Sequence, residues 1–173
     1  MFAQKVCGLV FSSFFFVNSF AAAAPAQGGS RLNSIEYRIP IKGTAEQVWD
    51  AIANFADYGK WNQWTFRIDG DPALGAKLKA YASSGGHLDL KITSFVEDKE
   101  ICWVDVTWFT RLGAGGWRCR RIEKLPDDEG VVFINHFQYT GVFGGALERV
   151  TRDFLEKGMQ QENQNLKDYI ETD

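Results

Sequence analysis

Residues 145–171 read GALERVTRDFLEKGMQQENQNLKDYIE, without a proline, after a glycine-rich break at 141–145. Leu147, Val150, Phe154, Leu155, Met159, Leu166, Tyr169 and Ile170 recur at three- and four-residue spacing, which places them on one side of an α-helix. Glu148 with Arg152, Arg149 with Asp153, and Asp153 with Lys157 stand four apart on the remaining surface and add helix-favouring pairs. At about 1.5 Å per residue such a helix spans roughly 40 Å, so it demands one large apolar surface to lie on. Gly158, Glu162 and Asn165 interrupt the stripe. They either face a cavity, where polar groups meet a ligand, or mark a helix end that overhangs its support into solvent. The preferred reading is the overhang.

What can supply that surface is a sheet, and the remaining text is mostly strand and turn. Ile35, Tyr37, Ile39 and Ile41 alternate with polar residues and Pro40, as in a half-buried strand near a sheet edge. Thr44-Ala45-Glu46-Gln47 is a capping box that opens a helix burying Val48, Trp49, Ile52 and Phe55. This helix breaks at Asp57-Tyr58-Gly59. Strands are then predicted over 64–68, 74–82, 88–96, 101–109, 117–125 and 131–140, separated by glycine-, aspartate- and proline-bearing turns. The order predicts an α+β domain: a curved antiparallel sheet of about seven strands, two short helices after the first, and the long helix closing the chain.

The first residues are of another kind. Lys5 precedes an apolar run over 6–20, and Ala24-Pro25-Ala26 fits the small-x-small cleavage rule. Residues 1–26 therefore read as an export signal and 27–173 as a single domain, periplasmic or secreted. An uncleaved anchor is the competing reading, weakened by Ser12, Ser13 and Asn18 within the run. Export permits a disulfide, and Cys102 and Cys119 lie on strands expected to be neighbours. A hairpin centred near 112–113 would set Cys102 closer to Glu123, so two separate buried thiols are expected.

With a net charge of −3 and no basic run, nucleic acid and anionic membranes are poor partners. Six Trp, fourteen Phe and five Tyr provide either a thick core or the wall of an apolar pocket.

Several segments share the pattern of one superfamily. They are Gly43-Thr44-Ala45-Glu46-Gln47-Val48-Trp49, Tyr58-Gly59-Lys60-Trp61-Asn62, Gly75-Ala76-Lys77-Leu78, the Gly130 turn, Tyr139-Thr140-Gly141, and Asn165-Leu166-Lys167 with Glu171. Over residues 33–171 the chain resembles the SRPBCC superfamily, the helix-grip group of START lipid-transfer domains, pollen-allergen-type proteins and aromatic polyketide cyclases. One departure is Gln63, where the family pattern has proline. The resemblance implies a bent sheet wrapped on the C-terminal helix, with a deep apolar cavity between them. It implies much less about chemistry, because the fold hosts binding, transport and catalysis alike.

Few side chains carry catalytic patterns. His87 opens a strand beside a Gly-Gly turn, and His136 lies out of phase with Phe133, Phe137 and Tyr139, so it is expected to face outward. Asp105 stands mid-strand opposite in phase to Cys102, Val104, Val106 and Trp108. That apolar phase favours an outward Asp105 beside Arg118 or Arg120, although a two-residue turn at Asp98-Lys99 would reverse the phase and bury it. Asp105 and His136 are thus weak catalytic candidates. No His, Cys, Asp and Glu spacing matches a metal site, and neither metal nor cofactor is expected.

The expected function is the holding of a small apolar or aromatic ligand, lipid or polyketide-like, by a monomer or weak dimer. The alternative is a cyclase-like enzyme using a carboxylate or histidine in the same cavity. Wall candidates are Trp64, Tyr81, Leu90, Trp103, Trp117, Phe137, Tyr139, Phe154 and Met159, with Glu162 as a polar anchor. Arg111, Gly113, Gly115, Gly116, Gly144 and Gly145 are candidates for the rim and gate.

Overall fold

The computed structural model describes residues 27–29, 33–126 and 129–172, so the expected export signal over 1–26 lies outside the described residues. The elements run β1 (Gln27–Gly29), β2 (Ser34–Ile41), α1 (Ala45–Ala53), a 3-10 turn (Phe55–Lys60), β3 (Thr65–Asp69), β4 (Lys77–Ala82), β5 (His87–Val96), β6 (Glu100–Asp105), α2 (Trp108–Arg111), β7 (Gly115–Lys124), β8 (Val131–Thr140) and α3 (Gly144–Thr172). One antiparallel sheet has the order β1-β2-β8-β7-β6-β5-β4-β3. The seven expected strands are present, and the short β1 adds an eighth at the edge. The sheet curls around α3, which packs on β2, β7 and β8. No helix among the described residues is long and apolar enough to cross a membrane.

Local chemistry explains the boundaries. Thr44 Oγ1 accepts from the Gln47 amide while the Gln47 side chain accepts from the Thr44 amide, so both free donors at the start of α1 are satisfied. Asn62 ends the 3-10 turn by accepting from the amides of Trp64 and Thr65, at 3.1 and 2.8 Å, which launches β3. This side-chain cap serves at the entry where the family pattern places proline one residue later.

The space between sheet and helix is divided. At one end, α1, the 3-10 turn and the C-terminal half of α3 close on a solid core that includes Trp49, Ile52, Tyr58, Trp61, Phe133 and Leu166. A smaller cluster of Ile35, Tyr139 and Met159 lies along the β2–β8 side. Under the N-terminal half of α3, between these clusters and β3–β5, the sheet and helix stay apart.

Three expectations are corrected. The polar interruption of the α3 stripe does not overhang: Gly158 and Glu162 are buried against the sheet, and Glu162 has 0% exposure. It is Val150 that points away, at 79% exposure.

Asp105 faces inward. Its cross-strand partner is Leu90, and Trp103 pairs with Ile92. Directly opposed residues share a sheet face, and Leu90 and Ile92 are both core residues. A three-residue turn with Asp98 at φ 55° and a bulge between Ile92 and Ser94 set this register. The phase of Cys102 and Val104 consequently faces the convex side. The strand also stops at Asp105, leaving Trp108 stacked on Phe109 at 3.8 Å and 61% exposed rather than in the core.

The cysteines, finally, are joined. Cys102 and Cys119 are direct cross-strand partners, with Cα atoms 4.0 Å apart, and form a disulfide. The connection between β6 and β7 is not a symmetrical hairpin about 112–113. It contains the α2 turn, and the resulting register sets Cys102 opposite Cys119 and Glu100 opposite Arg121.

Candidate functional site

The gap under α3 is a cavity of about 330 Å³. Its walls come from nearly every strand: Thr65 and Ile68 of β3, Ala80 and Ala82 of β4, Leu88 and Leu90 of β5, Trp103 and Asp105 of β6, Gly116, Arg118 and Arg120 of β7, and Phe137 of β8. Trp64 closes one side, Leu147, Thr151, Phe154 and Leu155 of α3 form the roof, and the β4–β5 turn over 84–86 with His87 forms a rim.

Two glycines make the space. A β-carbon on Gly116 would lie 2.4 Å from the Phe137 ring and 3.0 Å from Asp105 Oδ2. One on Gly158 would lie 2.1 Å from the Trp64 indole. Both are positions where a ring comes up against bare backbone.

A buried ion cluster marks the boundary between cavity and solid core. Glu162 reaches from α3 to the sheet, with Oε2 accepting from Arg118 Nη2 at 2.5 Å and Oε1 paired with Arg120 Nη2. Arg118 Nε also donates to Asn135 Oδ1 at 3.0 Å, and Asn135 Nδ2 donates to Asn163 Oδ1 at 3.0 Å. The guanidiniums lie against aromatic faces, Arg118 over Trp64 at 5.2 Å, and Arg120 over Trp103 at 4.5 Å and Tyr58 at 5.3 Å. Burial, with the like charge of Arg120, pulls Arg118 below its ordinary value, while attraction to Glu162 works against that shift. Burial likewise pushes the Tyr58 phenol up.

On the same sheet face, beside Gly116 of β7, burial pushes the Asp105 carboxyl up to about 6, against the pull of the Gly116 N–H and of Arg118. A carboxyl group balanced near neutrality within an apolar cavity can take up or release a proton in the physiological range.

Residues 33–171 match the model of the family described as "Polyketide cyclase / dehydrase and lipid transport". The chain belongs to that family. Solved structures of low identity share the fold of this polyketide cyclase/dehydrase and lipid transport family member. Hypothetical protein jhp0584 of Helicobacter pylori aligns with a TM-score of 0.66 at 14% identity, covering 97% of this chain and 99% of its own. Truncated norcoclaurine synthase of Thalictrum flavum gives 0.61 at 11%, covering 84% and 94%. The di-domain ARO/CYC StfQ of the steffimycin biosynthetic pathway gives 0.61 at 10%, covering 81% and 51%. No curated protein matches the chain.

Of the wall candidates, this family member brings Trp64, Leu90, Trp103, Phe137 and Phe154 to the cavity. The others sit elsewhere. Tyr81 packs on His87 and under Arg67, in the opposite phase to Ala80 and Ala82. Trp117 stacks edge-on to His136 at 5.5 Å, opposite in phase to the cavity residues Gly116 and Arg118. Tyr139 and Met159 fill the smaller core, where Tyr139 meets the cavity residues Phe137, edge-on at 4.9 Å, and Thr151, through its hydroxyl. Glu162 stands behind the arginines and does not line the cavity.

His136 lies away from the cavity and bonds Glu36 at 3.1 Å. Of the gate candidates, Gly116 lines the floor, Gly144 is buried against Tyr139, and Arg111 and Gly145 are exposed. Gly113 accepts a hydrogen bond from the Phe143 amide at 2.8 Å, tying the α2 loop to the break before α3, and Gly115 packs on Thr110. Glu100 and the two cysteines are the one cluster with metal-ligand spacing among the described residues, and the disulfide occupies both sulfurs.

Arg118 and Arg120 were missed as site residues. The signal was available: β7 pairs with β8, and Arg118 stands opposite Phe137 while Arg120 stands opposite Asn135, in the phase of Phe133 and Tyr139. Taking aromatic residues as inward and charged ones as outward inverts this strand at Trp117-Arg118.

Proposed function

We propose that this protein is exported and holds a small apolar or aromatic molecule, lipid or polyketide-like, in the cavity between sheet and α3. One observation carries the reading: a space of about 330 Å³ walled by Trp64, Leu90, Trp103, Phe137 and Phe154 remains open between the sheet and α3. Family membership supports the same reading. Export is supported by the apolar leader with its Ala24-Pro25-Ala26 site and by the Cys102–Cys119 disulfide, a bond that persists in oxidising compartments. Native mass spectrometry of the protein purified from its own host tests the proposal. An apolar adduct that leaves on denaturation is expected, and repeated preparations without any mass shift would overturn it.

A second reading, catalysis of a cyclase-like reaction, is favoured by Asp105. Its position in the cavity suits proton transfer to or from a bound carbonyl compound. The StfQ and norcoclaurine synthase likenesses supply the fold on which such chemistry is known by name. Conversion of a bound compound that stops in Asp105→Asn, with binding retained, would move the assignment from carrier to enzyme.

A further inference from the structure

The cavity is apolar in area but lopsided in charge and in hydrogen bonding. Two guanidiniums, Arg118 and Arg120, line it, and a single carboxylate, Glu162, divides its two oxygens between them. Arg118 has Asn135 as a further acceptor. Arg120, with 0% exposure, meets only Glu162, by an ion pair, and two aromatic faces among the described residues, where none of its three side-chain nitrogens makes a hydrogen bond. The indole Nε1 of Trp64 is also buried without a partner. Among the described residues, every unpartnered buried side-chain polar atom on the cavity wall is therefore a donor. Asp105 offsets this imbalance only in part: Arg118 attracts it, but burial holds the carboxyl toward its protonated form, it accepts from Gly116, and it forms no ion pair with either arginine among the described residues.

Buried donors and a buried, incompletely compensated cation are costly, and a wall whose unpartnered buried groups are all donors is matched by an acceptor that carries negative charge. A guanidinium presents a planar fork to a carboxylate, and the bond strengthens where water is excluded.

We propose that the natural ligand is an organic carboxylic acid, its apolar body lying under Leu147, Phe154 and Leu155 and its carboxylate directed at Arg118, Arg120 and Trp64 Nε1. This rests on the ligand-holding reading above and names the class of ligand. Glu162 then acts as a positioning residue. It holds both guanidiniums against the sheet and leaves this three-residue cluster one negative charge short, which the guest's carboxylate supplies.

Calorimetric titration near neutral pH with two matched pairs tests the assignment: octanoate against octanol, and 2-naphthoate against 2-naphthalenemethanol. In at least one pair the acid is expected to bind at least about tenfold more tightly than the alcohol, the scale of one charge-assisted contact. Arg120→Met should abolish that preference, and an unchanged circular-dichroism spectrum with a cooperative thermal transition shows that the variant is folded. Arg118→Met serves as the second variant. Equal binding of acid and alcohol in both pairs would overturn the carboxylate assignment and leave the apolar cavity standing. So would an acid preference that survives both substitutions. If none of the four compounds binds, the ligand-holding reading itself fails, and the assignment with it.

Discussion

Gly158 on α3 lies directly against the indole of Trp64, so close that a β-carbon there would be 2.1 Å from Cε2 and 2.5 Å from Cδ2 and Cζ2. The helix has given up a side chain to let the ring in. An interior glycine weakens a helix by roughly 1 kcal/mol relative to alanine, so Gly158→Ala would stabilise an unencumbered helix. Here the sign should reverse. The added methyl must push a buried tryptophan off its seat, and such overpacking costs about 1–3 kcal/mol. Urea denaturation is expected to show a net loss, together with weaker binding of any cavity ligand because Trp64 is displaced toward the open space. A stabilised Gly158→Ala protein would show that α3 does not press on Trp64.

Removing Glu162 should be more damaging than removing either arginine it holds. Glu162→Gln leaves two buried guanidiniums facing each other without an anion, and stranding a buried charge in this way costs about 3–5 kcal/mol. Arg120→Met leaves the Arg118–Glu162 pair intact at 2.5 Å and substitutes an unbranched side chain between Tyr58 and Trp103. Its loss in chemical denaturation should therefore be the smaller of the two. The reverse order would mean that the cluster is not short of negative charge.

The fold was readable because three independent patterns agreed: the α3 periodicity, the capping box at Thr44, and turns at strand spacing. The site was only half readable, for a specific physical reason. Strand phase is fixed by the register with neighbouring strands, and a single bulge or turn residue changes it. At β6 the bulge near Ile92 and the turn at Asp98 sent Trp103 and Asp105 inward and Cys102 outward. At β7 the pairing with β8 placed Arg118 inward and Trp117 outward. Hydrophobicity alone misreads both strands, because the convex face carries a disulfide and a tryptophan while the cavity carries two arginines and an aspartate. Glu162 stands out in the sequence as a polar interruption of an apolar stripe, but the partners that bury it lie on a strand far away in sequence, so spacing alone favours the overhang that the structure corrects.

Asp105 should make stability depend on pH with a sign opposite to the usual carboxylate. Burial raises its pKa to about 6, so between the unfolded value near 4 and 6 the folded chain binds more protons than the unfolded one. Stability contributed by this group is full below about pH 4 and falls as pH rises through 6. The shift corresponds to roughly 3 kcal/mol at most. Asp105→Asn mimics the protonated form and keeps an oxygen for the Gly116 amide. Its stability should match the native protein near pH 4 and exceed it near pH 8, as judged by denaturation at the two values. A constant difference across that range would place Asp105 in water rather than in the cavity wall.

The Cys102–Cys119 disulfide backs the same two strands that present Trp103, Arg118 and Arg120 to the cavity, so its loss should be felt in both stability and binding. The cysteines are separated by 17 positions in sequence, and closing a loop of about that length restrains the unfolded chain by about 3 kcal/mol in the chain-entropy view. Because the bond joins residues already opposed in the β6–β7 ladder, its removal leaves the backbone pairing in place. The double substitution Cys102→Ala with Cys119→Ala should therefore fold, with the denaturation midpoint lowered by an amount near that figure. Reductant should lower the native protein toward the same midpoint and leave the double variant unmoved. Peptide mapping without reduction should join the segments around 102 and 119. If reductant lowers both proteins equally, or the peptides separate, the strands are held by their ladder alone and the oxidised link plays no part.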